Sequence, residues 1–209
     1  MNLRSMAIFT SRTIGEKLLE KPLMDWEAAV LYGLNPLCPP TILESLVLLD
    51  IPYWDSGREV RTGQLVIHRD LVAEVIFLFD LMLKLEFPIA MMRPVSDPIF
   101  FLDGRPSDAL LMSKNNTSGF HYRNIAGSTR LSWHAYGRAV DINPLWNPCV
   151  TASGIEPSEG RYDTSIPGTF FENHPVVQAF LDAGWIWGGK WKQIQDYHHF
   201  EKPLQQTPF

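Results

Sequence analysis

The clearest alternation of hydrophobic and polar positions lies in residues 71–85. Apolar residues recur there at intervals of three and four positions, at Val72, Val75, Ile76, Phe79, Met82 and Leu83. This spacing places them on one face of an α-helix, and Asp70 is expected to cap its first turn. Residues 175–183 predict a second helix, with Asn173 as its cap and Gly184 as its end. Each helix therefore has one face that must pack against a core.

Several short apolar segments lie between turn-forming residues and predict β-strands. These segments are residues 46–53, 64–68, 87–92, 120–125, 137–142 and 196–201. Helices and strands do not alternate in the repeating rhythm that a doubly wound parallel sheet would require. The pattern instead predicts an α+β fold, in which a small central antiparallel sheet is flanked by helices.

Chain length and composition indicate one main domain. The chain has 209 residues, of which 45% are hydrophobic and 20% charged, enough for a single domain with a substantial core. Residues 1–40 are predicted to be an N-terminal extension of unknown role, with short amphipathic helices at residues 14–23 and 26–32. Residues 41–209 are predicted to form the main domain. Its long irregular segment, residues 145–172, suits a rim or lid beside a functional site.

The net charge and the cysteines limit the range of partners. A net charge of −5 argues against a nucleic-acid partner and against membrane binding through a basic patch. No apolar run is long enough to span a bilayer, and the first residues show no convincing signal peptide. Cys38 and Cys149 have no neighbours at metal-ligand spacing, so two unpaired thiols are favoured over a single disulfide. The compartment and the oligomeric state stay open.

Residues 132–143, Ser-Trp-His-Ala-Tyr-Gly-Arg-Ala-Val-Asp-Ile-Asn, carry the first candidate chemistry. In the predicted strand, Gly137, Ala139 and Asp141 share one face. The carboxylate therefore lies beside the two smallest side chains, which leaves room for an ion and its substrate. His134 precedes the strand, in a turn that Gly137 permits. Its imidazole and the carboxylate can therefore both reach one divalent ion.

A third ligand can come from residues 196–201, Asp-Tyr-His-His-Phe-Glu. Two histidines, one aspartate and one open position are the composition of a catalytic zinc site. A spare carboxylate nearby can then act as the general base. In a regular strand, Asp196 shares a face with His198 and not with His199. Spacing alone therefore favours His198 as the third ligand.

The motif Ser-x-His-x-x-Gly-x-Ala-x-Asp, followed by Asp-x-x-His-Phe-Glu, resembles the zinc D-alanyl-D-alanine carboxypeptidase family, which includes D,D-dipeptidases and L-alanyl-D-glutamate endolysins. The resemblance extends from about residue 44 to about residue 203 and leaves residues 1–40 outside it. It implies a Hedgehog/D,D-peptidase-like zinc fold. Further segments that carry it are Gly63-Gln-Leu-Val-Ile-His68, Asn115-Asn-Thr-Ser118, Arg123-Asn-Ile125 and Gly184-Trp-Ile-Trp-Gly-Gly189.

The resemblance implies a role for each residue of the candidate metal site. His134, Asp141 and His199 resemble the zinc ligands of the family. The family pattern thus selects His199 where spacing alone selects His198. Asp196 resembles the acidic general base, which requires that it lies in a bend before the strand proper.

Other residues are candidates for substrate contact. Arg93 and Arg123 both match arginine positions of the family, where an arginine steadies the carbonyl oxygen or the substrate carboxylate, and Arg93 is preferred. Ser132 begins the central motif, and Asn115 opens a polar turn that either binds the substrate or is structural. A place in the core is favoured over an aromatic platform for Trp185, Trp187 and Trp191. Trp187 and Trp191 are the better platform candidates, because Gly188 and Gly189 leave the nearby backbone open.

Together these roles predict a Zn²⁺-dependent metallopeptidase that hydrolyses peptidoglycan stem peptides. The resemblance favours a D-alanyl-D-alanine carboxypeptidase. The alternatives are an endopeptidase of the L-alanyl-D-glutamate type and a non-catalytic binding module on the same fold. An enzyme is favoured over a binding module because every proposed catalytic position holds a competent residue. The resemblance also implies action on the cell wall, in the periplasm or outside the cell.

Overall fold

The computed structural model describes residues 5–6 and 23–204, so residues 14–22 of the first predicted helix lie outside the described part. The helices are α1 (Trp26–Leu31), α2 (Pro40–Glu44), α3 (Val72–Lys84), α4 (Asp108–Ser113) and α5 (Pro175–Asp182). The strands are β1 (Ser5–Met6), β2 (Leu46–Trp54), β3 (Val60–His68), β4 (Met91–Met92), β5 (Phe101–Leu102), β6 (Arg105–Pro106), β7 (Asn116–Thr117), β8 (Ala139–Asp141), β9 (Cys149–Thr151), β10 (Gly154–Glu156), β11 (Ile186–Trp187), β12 (Gln195–Asp196) and β13 (His199–Glu201). Among these helices none has the length and apolarity needed to cross a membrane.

The α+β class is confirmed, but the sheet is divided. Three sheets have three strands each, in the orders β1-β2-β3, β10-β9-β12 and β11-β13-β8, and two further pairs are β4-β7 and β5-β6. Most neighbouring strands are antiparallel, whereas β1-β2 and β4-β7 are parallel. The single central sheet that the sequence predicted is therefore replaced by several small ones.

The β2–β3 hairpin lies between two layers of packing. Its strands pair from Leu46↔His68 to Trp54↔Val60, and alternate residues point to opposite faces. One face contacts α3 and α5 through a cluster that includes Val47, Leu49, Ile51, Leu65 and Ile67. The other face carries Leu48 and Val66 and packs against α1 residues Ala29 and Val30. Part of the predicted N-terminal extension thus contacts the main domain, and the boundary at residue 40 stays a prediction.

Both long helices are preceded by a histidine cap instead of the predicted residue. Nδ1 of His68 accepts the Asp70 N–H at 3.2 Å, and a 3₁₀ turn, Arg69–Leu71, leads into α3. Asp70 is therefore inside the turn, and its prediction as the cap is wrong. At α5 the cap is His174 in place of Asn173. The δ atom of an imidazole stands as far from the backbone as the δ oxygen of asparagine, so both side chains can cap a helix.

Replacing His174 with asparagine is expected to weaken the acid sensitivity of folding. Nδ1 of His174 accepts the Val176 N–H at 3.2 Å, which requires an unprotonated nitrogen. Burial lowers the pKa of His174, so the unfolded chain binds the proton more readily. This stabilisation is complete above about pH 6.5 and is lost as the pH falls through the folded-state pKa.

Asparagine keeps an acceptor at the same position and does not titrate. The free energy of unfolding, measured in urea, should fall between about pH 7 and about pH 5 in both proteins. The fall should be larger in the wild type than in H174N by on the order of 1 kcal/mol, which is the usual contribution of a helix cap. An equal loss in both proteins would contradict the capping role of the neutral imidazole.

Several predicted strands are shortened or broken. The segment 196–201 is divided by a turn at Tyr197 and His198, and its halves, β12 and β13, belong to different sheets. The segment 137–142 reduces to β8, since Gly137 adopts a left-handed φ of 64° at the end of a 3₁₀ turn. The segment 87–92 forms a strand only at β4, and Pro88 makes an isolated bridge with Trp54. Segment 120–125 contains no strand.

Candidate metal centre

Strand pairing brings together two of the three candidate ligands. β8 and β13 are antiparallel, and Asp141 is the direct cross-strand partner of His199. His134 approaches from the 3₁₀ turn Trp133–Tyr136, which Gly137 ends. A side chain at Gly137 would place its Cβ 2.7 Å from the backbone nitrogen of His68, so only glycine allows this turn to pack on the hairpin. The position of His134 therefore depends on that glycine.

The ligand atoms of His134, Asp141 and His199 lie within 4.8 Å of one another. The carboxylate lies between the rings: Oδ2 is 3.1 Å from Nε2 of His134, and Oδ1 is 2.9 Å from Nδ1 of His199. The two ring nitrogens are 3.2 Å apart. All three side chains are largely buried, with 3%, 14% and 9% of the side-chain surface exposed in chain order. These three residues are thus close enough to share one metal ion.

Outer contacts fix the tautomers of both histidines. Nδ1 of His134 donates to the carbonyl oxygen of Gly119 at 2.6 Å, since a carbonyl can only accept. Nε2 of His199 donates to Oε2 of Glu201 at 3.0 Å. The inner nitrogens of the neutral rings therefore carry lone pairs, and both face the Asp141 carboxylate. Three electron-pair donors at this separation repel one another unless a cation or protons lie between them, so the donor set fits a metal ion.

The electrostatics of the cluster agree with this arrangement. Burial raises the pKa of Asp141, but the charges of His134 and His198 and the histidine hydrogen bonds outweigh it, and the pKa lies well below its usual value. Burial disfavours the imidazolium of His199. Hydrogen bonds with Asp141 and Glu201 nevertheless raise its pKa to about 10. The cluster therefore strongly favours positive charge between its ligand atoms.

Asp196 ends β12, next to the cluster but outside its three ligands. Its cross-strand partner is Cys149 of β9, and its charge contributes to the raised pKa of His199. Within residues 23–204, Oδ1 of Asp196 is buried and has no partner in hydrogen-bond geometry. Nε2 of His198 lies 2.9 Å from this oxygen, which is close enough for an ion pair although the hydrogen-bond geometry is not met. The carboxylate of Asp196 therefore lies beside the cluster with His198 as its close polar neighbour, and its role as general base stays a prediction.

The turn between β12 and β13 resolves the competition between the two adjacent histidines. His199 contributes its Nδ1 to the cluster, whereas the ring of His198 lies between Asp196 and the carbonyl oxygen of Asn147. Alternation favoured His198 because it assumed one continuous strand. The turn rotates the chain, so that Asp196 and His199 approach the same site from different sheets.

The two candidate arginines are both engaged in ion pairs. Arg93 pairs with the buried carboxylate of Asp97. Nε of Arg123 lies 2.8 Å from Oδ2 of Asp108, whose other oxygen contacts His121 at 2.9 Å.

Burial opposes the ionisation of Asp108, but hydrogen bonding to His121 and the charges of Arg123, His121 and His134 lower the pKa of this carboxyl. The group of Asp108 and Arg123 therefore lies within electrostatic reach of His134. For Arg93 the described contacts are an ion pair with Asp97 and backbone hydrogen bonds with Asn116. The sequence resemblance favoured Arg93, and the role of either arginine stays a prediction.

The predicted substrate-contact residues are mostly committed to internal contacts. Oγ of Ser132 caps the 3₁₀ turn by accepting the His134 N–H. Asn115 has a left-handed φ of 54°, and its Oδ1 accepts the N–H of Leu145 at 2.8 Å. Trp187 is 2% exposed and packs in the main core. These positions are at odds with direct substrate binding by these three side chains.

Trp191 is better placed than Trp187 for contact with a substrate. It is 36% exposed, and its ring centroid is 5.5 Å from that of His199. Gly188 and Gly189, which follow Trp187, allow close packing and do not leave the nearby backbone open. A Cβ at Gly189 would lie 2.3 Å from the Trp187 ring, and one at Gly188 would lie 2.6 Å from the backbone oxygen of Asp196.

Sequence reasoning did not identify Glu201 as a functional residue, although its position contained the necessary signal. It lies two residues after His199, and residues i and i+2 of a strand share a face. Its carboxylate holds the imidazole that contributes to the cluster. The carbonyl of Gly119 has no comparable signal, because any residue supplies a carbonyl.

Two cavities lie apart from the cluster. One, of about 530 Å³, is between α1 and residues 104–106 and 120–122. The other, of about 640 Å³, is between α4 and the β9–β10 hairpin. Neither is lined by His134, Asp141 or His199. At the cluster itself the carboxylates of Asp141 and Asp196 are partly exposed, at 14% and 19% of the side-chain surface.

Comparison with known proteins gives one match. The family model described as D-alanyl-D-alanine carboxypeptidase matches residues 126–202. This segment contains all three cluster residues together with Asp196 and Glu201. The search of curated proteins and the search of solved structures gave no match. Residues 126–202 are therefore similar to the D-alanyl-D-alanine carboxypeptidase family of peptidases, which is the family that the spaced motifs indicated.

Proposed function

We propose that the protein is a zinc metallopeptidase that hydrolyses peptidoglycan stem peptides, and that it removes the terminal residue from peptides ending in D-Ala-D-Ala. The observation that carries this proposal is the convergence of the ligand atoms of His134, Asp141 and His199, which lie within 4.8 Å of one another. The family match supplies the reaction class. We further propose that residues 41–209 form the catalytic domain, with a Hedgehog/D,D-peptidase-like zinc fold.

The donor set suits zinc among the divalent ions. Two imidazole nitrogens and one carboxylate are typical of catalytic zinc sites, which keep a fourth position open. When bound there, Zn²⁺ supplies the Lewis acidity that acidifies water and polarises a peptide carbonyl. Asp141 and Glu201 orient His199, while Gly119 orients His134. Because these contacts exist within the folded chain, the ligands need little reorganisation to bind the ion.

Asp196 performs the proton transfers in this proposal. It accepts a proton from the water that attacks the scissile carbonyl, and a C–O bond forms. It then donates the proton to the leaving amine as the C–N bond breaks. The carboxylate of Asp196 is the group that makes this transfer, and its Oδ1 lies 2.9 Å from Nε2 of His198.

Arg123 and Trp191 are the residues that we assign to substrate binding. A carboxypeptidase must hold the free carboxylate at the end of its substrate, and a guanidinium does so through two parallel hydrogen bonds. Nε of Arg123 lies 2.8 Å from Oδ2 of Asp108. In this proposal a substrate carboxylate replaces part of that ion pair. The exposed face of Trp191 beside His199 provides apolar contact for a D-alanine methyl group. Since peptidoglycan lies outside the plasma membrane, the proposed site of action is the cell wall.

The test is hydrolysis of a synthetic stem pentapeptide that ends in D-Ala-D-Ala. The purified protein is stripped of metal, reloaded with zinc and incubated with the peptide, and the products are identified by mass spectrometry. We expect release of one terminal D-alanine, dependent on zinc and on Asp196. Cleavage within the stem would contradict the carboxypeptidase assignment and indicate an endopeptidase. Survival of both the peptide and intact peptidoglycan, with zinc bound stoichiometrically, would refute the substrate assignment.

A further inference from the structure

We infer that His198 is a positioning residue, which fixes the carboxylate of Asp196 relative to the metal centre through a bridge to the backbone of Asn147. This inference rests on the proposed function, because it gives Asp196 the role of general base. The ring of His198 is 4% exposed in the folded chain. It has a polar contact at each nitrogen: Nδ1 is 2.8 Å from the carbonyl oxygen of Asn147, and Nε2 is 2.9 Å from Oδ1 of Asp196.

The direction of the first contact is determined by its partner. A carbonyl oxygen can only accept, so Nδ1 of His198 carries the hydrogen that it shares with Asn147. This bond sets the rotation of the ring and directs Nε2 at Asp196. The backbone of His198 is also fixed, since its carbonyl accepts the N–H of Ile142 at 3.0 Å, next to the ligand Asp141.

Asn147 is a rigid anchor for this bridge. It is fully buried, and its side chain joins two parts of the chain. Its Nδ2 donates to the carbonyl of Gly168 at 2.9 Å, and its Oδ1 accepts the N–H of Phe170 at 2.6 Å. A further donation from Nδ2 reaches the carbonyl of Ile142 at 3.2 Å. The His198 ring therefore transmits the position of the segment that follows Asp141 to the carboxylate of Asp196.

Asp196 needs such a restraint because β12 has only two residues. The strand pairs with β9 through its backbone, and Gly188 packs closely against the backbone oxygen of Asp196. Neither contact sets the rotation of the carboxylate. In the described residues its Oδ1 has no hydrogen bond, and His198 is the neighbour at ion-pair distance. Catalytic contacts of this kind often tighten only when substrate is bound.

The kinetic test compares H198F and H198Q with the wild type, each loaded with zinc. Phenylalanine keeps a planar ring and removes both nitrogens, whereas glutamine keeps one polar group that can reach Asp196. We expect H198F to lower kcat by about 10–100-fold, with KM changed by less than about 2-fold and one zinc bound, as for other residues that orient a catalytic group. We expect H198Q to recover part of the lost kcat.

Two results would overturn the inference. One is a kcat of H198F close to that of the wild type. The other is a loss of kcat in both variants that matches their loss of bound zinc, so that kcat per bound zinc is unchanged. His198 would then stabilise the metal site and would not position Asp196. Should H198F fail to fold, H198Q carries the same comparison, with a smaller fall in kcat at unchanged KM as the expected result.

Crystal structures of zinc-loaded wild type and H198Q test the positioning without a substrate. Asp196 is expected to keep one carboxylate orientation in the wild type and to rotate or occupy two orientations in the variant. Superimposable Asp196 side chains would overturn the inference. The crystal structures also separate the two proposals. A wild-type protein that cleaves no stem peptide refutes the proposed function. The orientation of Asp196 decides the positioning role of His198 independently of cleavage.

Discussion

Replacing Asp196 with asparagine is expected to lower kcat by about 10²–10⁴-fold, the usual worth of a general acid–base residue. Asparagine has nearly the same shape but cannot accept a proton at neutral pH. Asp196 lies outside the candidate ligand group of His134, Asp141 and His199, so zinc binding should be retained. The measurements are kcat and KM for the stem pentapeptide, together with the zinc content of the protein.

The matched control is D182N at the exposed end of α5. It makes the same chemical change at a carboxylate away from β12 and β13, and it should leave kcat and zinc content unchanged. If D196N retains wild-type kcat, Asp196 is not the general base. If D196N loses zinc and activity together, Asp196 contributes to metal binding instead, and the assignment of three ligands needs revision.

The convergence of the three candidate metal ligands could be predicted from sequence because their spacing encodes their geometry. His134 and Asp141 lie on the two sides of Gly137, which adopts the left-handed conformation that a glycine allows. This turn returns the chain toward the strand that carries Asp141, and the family pattern supplied His199 as their partner. The structure brings these three together, as the sequence indicated.

The relation between Asp196 and its neighbours could not be predicted by alternation. The rule that residues i and i+2 share a face holds only within one strand. A turn at Tyr197 and His198 separates β12 from β13, and the two halves pair with different strands. The family pattern placed Asp196 in a bend before the strand, which is wrong in detail because Asp196 ends β12 and the turn follows it.

The contacts that orient the ligands depend on tertiary structure. The carbonyl of Gly119 reaches His134 because residues 118–120 run between the hairpin and β8. Nothing in the local sequence specifies this contact. The same limit applies to Trp187, whose burial depends on stacking with Phe200 and on the N–H donated to Tyr197. Amphipathic patterns predicted α3 and α5 well, since one buried face is a local property of a helix.

Replacing His134 with alanine is expected to abolish tight zinc binding and to reduce peptidase activity to background. His134 supplies one of two imidazole ligands, and its place on the 3₁₀ turn leaves no other histidine of that turn to replace it. Zinc at about 1,000 times its Kd stabilises a folded protein by about 4 kcal/mol. For a chain of this size, that corresponds to an increase in Tm of about 8–16 °C in the wild type, and most of this increase should be lost in H134A.

The Tm difference between zinc-loaded and metal-free protein measures this effect without any substrate. H174N serves as the control, because His174 is a half-buried histidine whose ring contacts are Phe87, Phe170 and Phe171. It should show the full wild-type increase in Tm with zinc, whatever its own stability. An equal increase in H134A would show that zinc binds elsewhere. The cluster of His134, Asp141 and His199 would then be a network of ion pairs that stabilises the β8–β13 pairing, and Asp196 would have no metal-activated water to deprotonate.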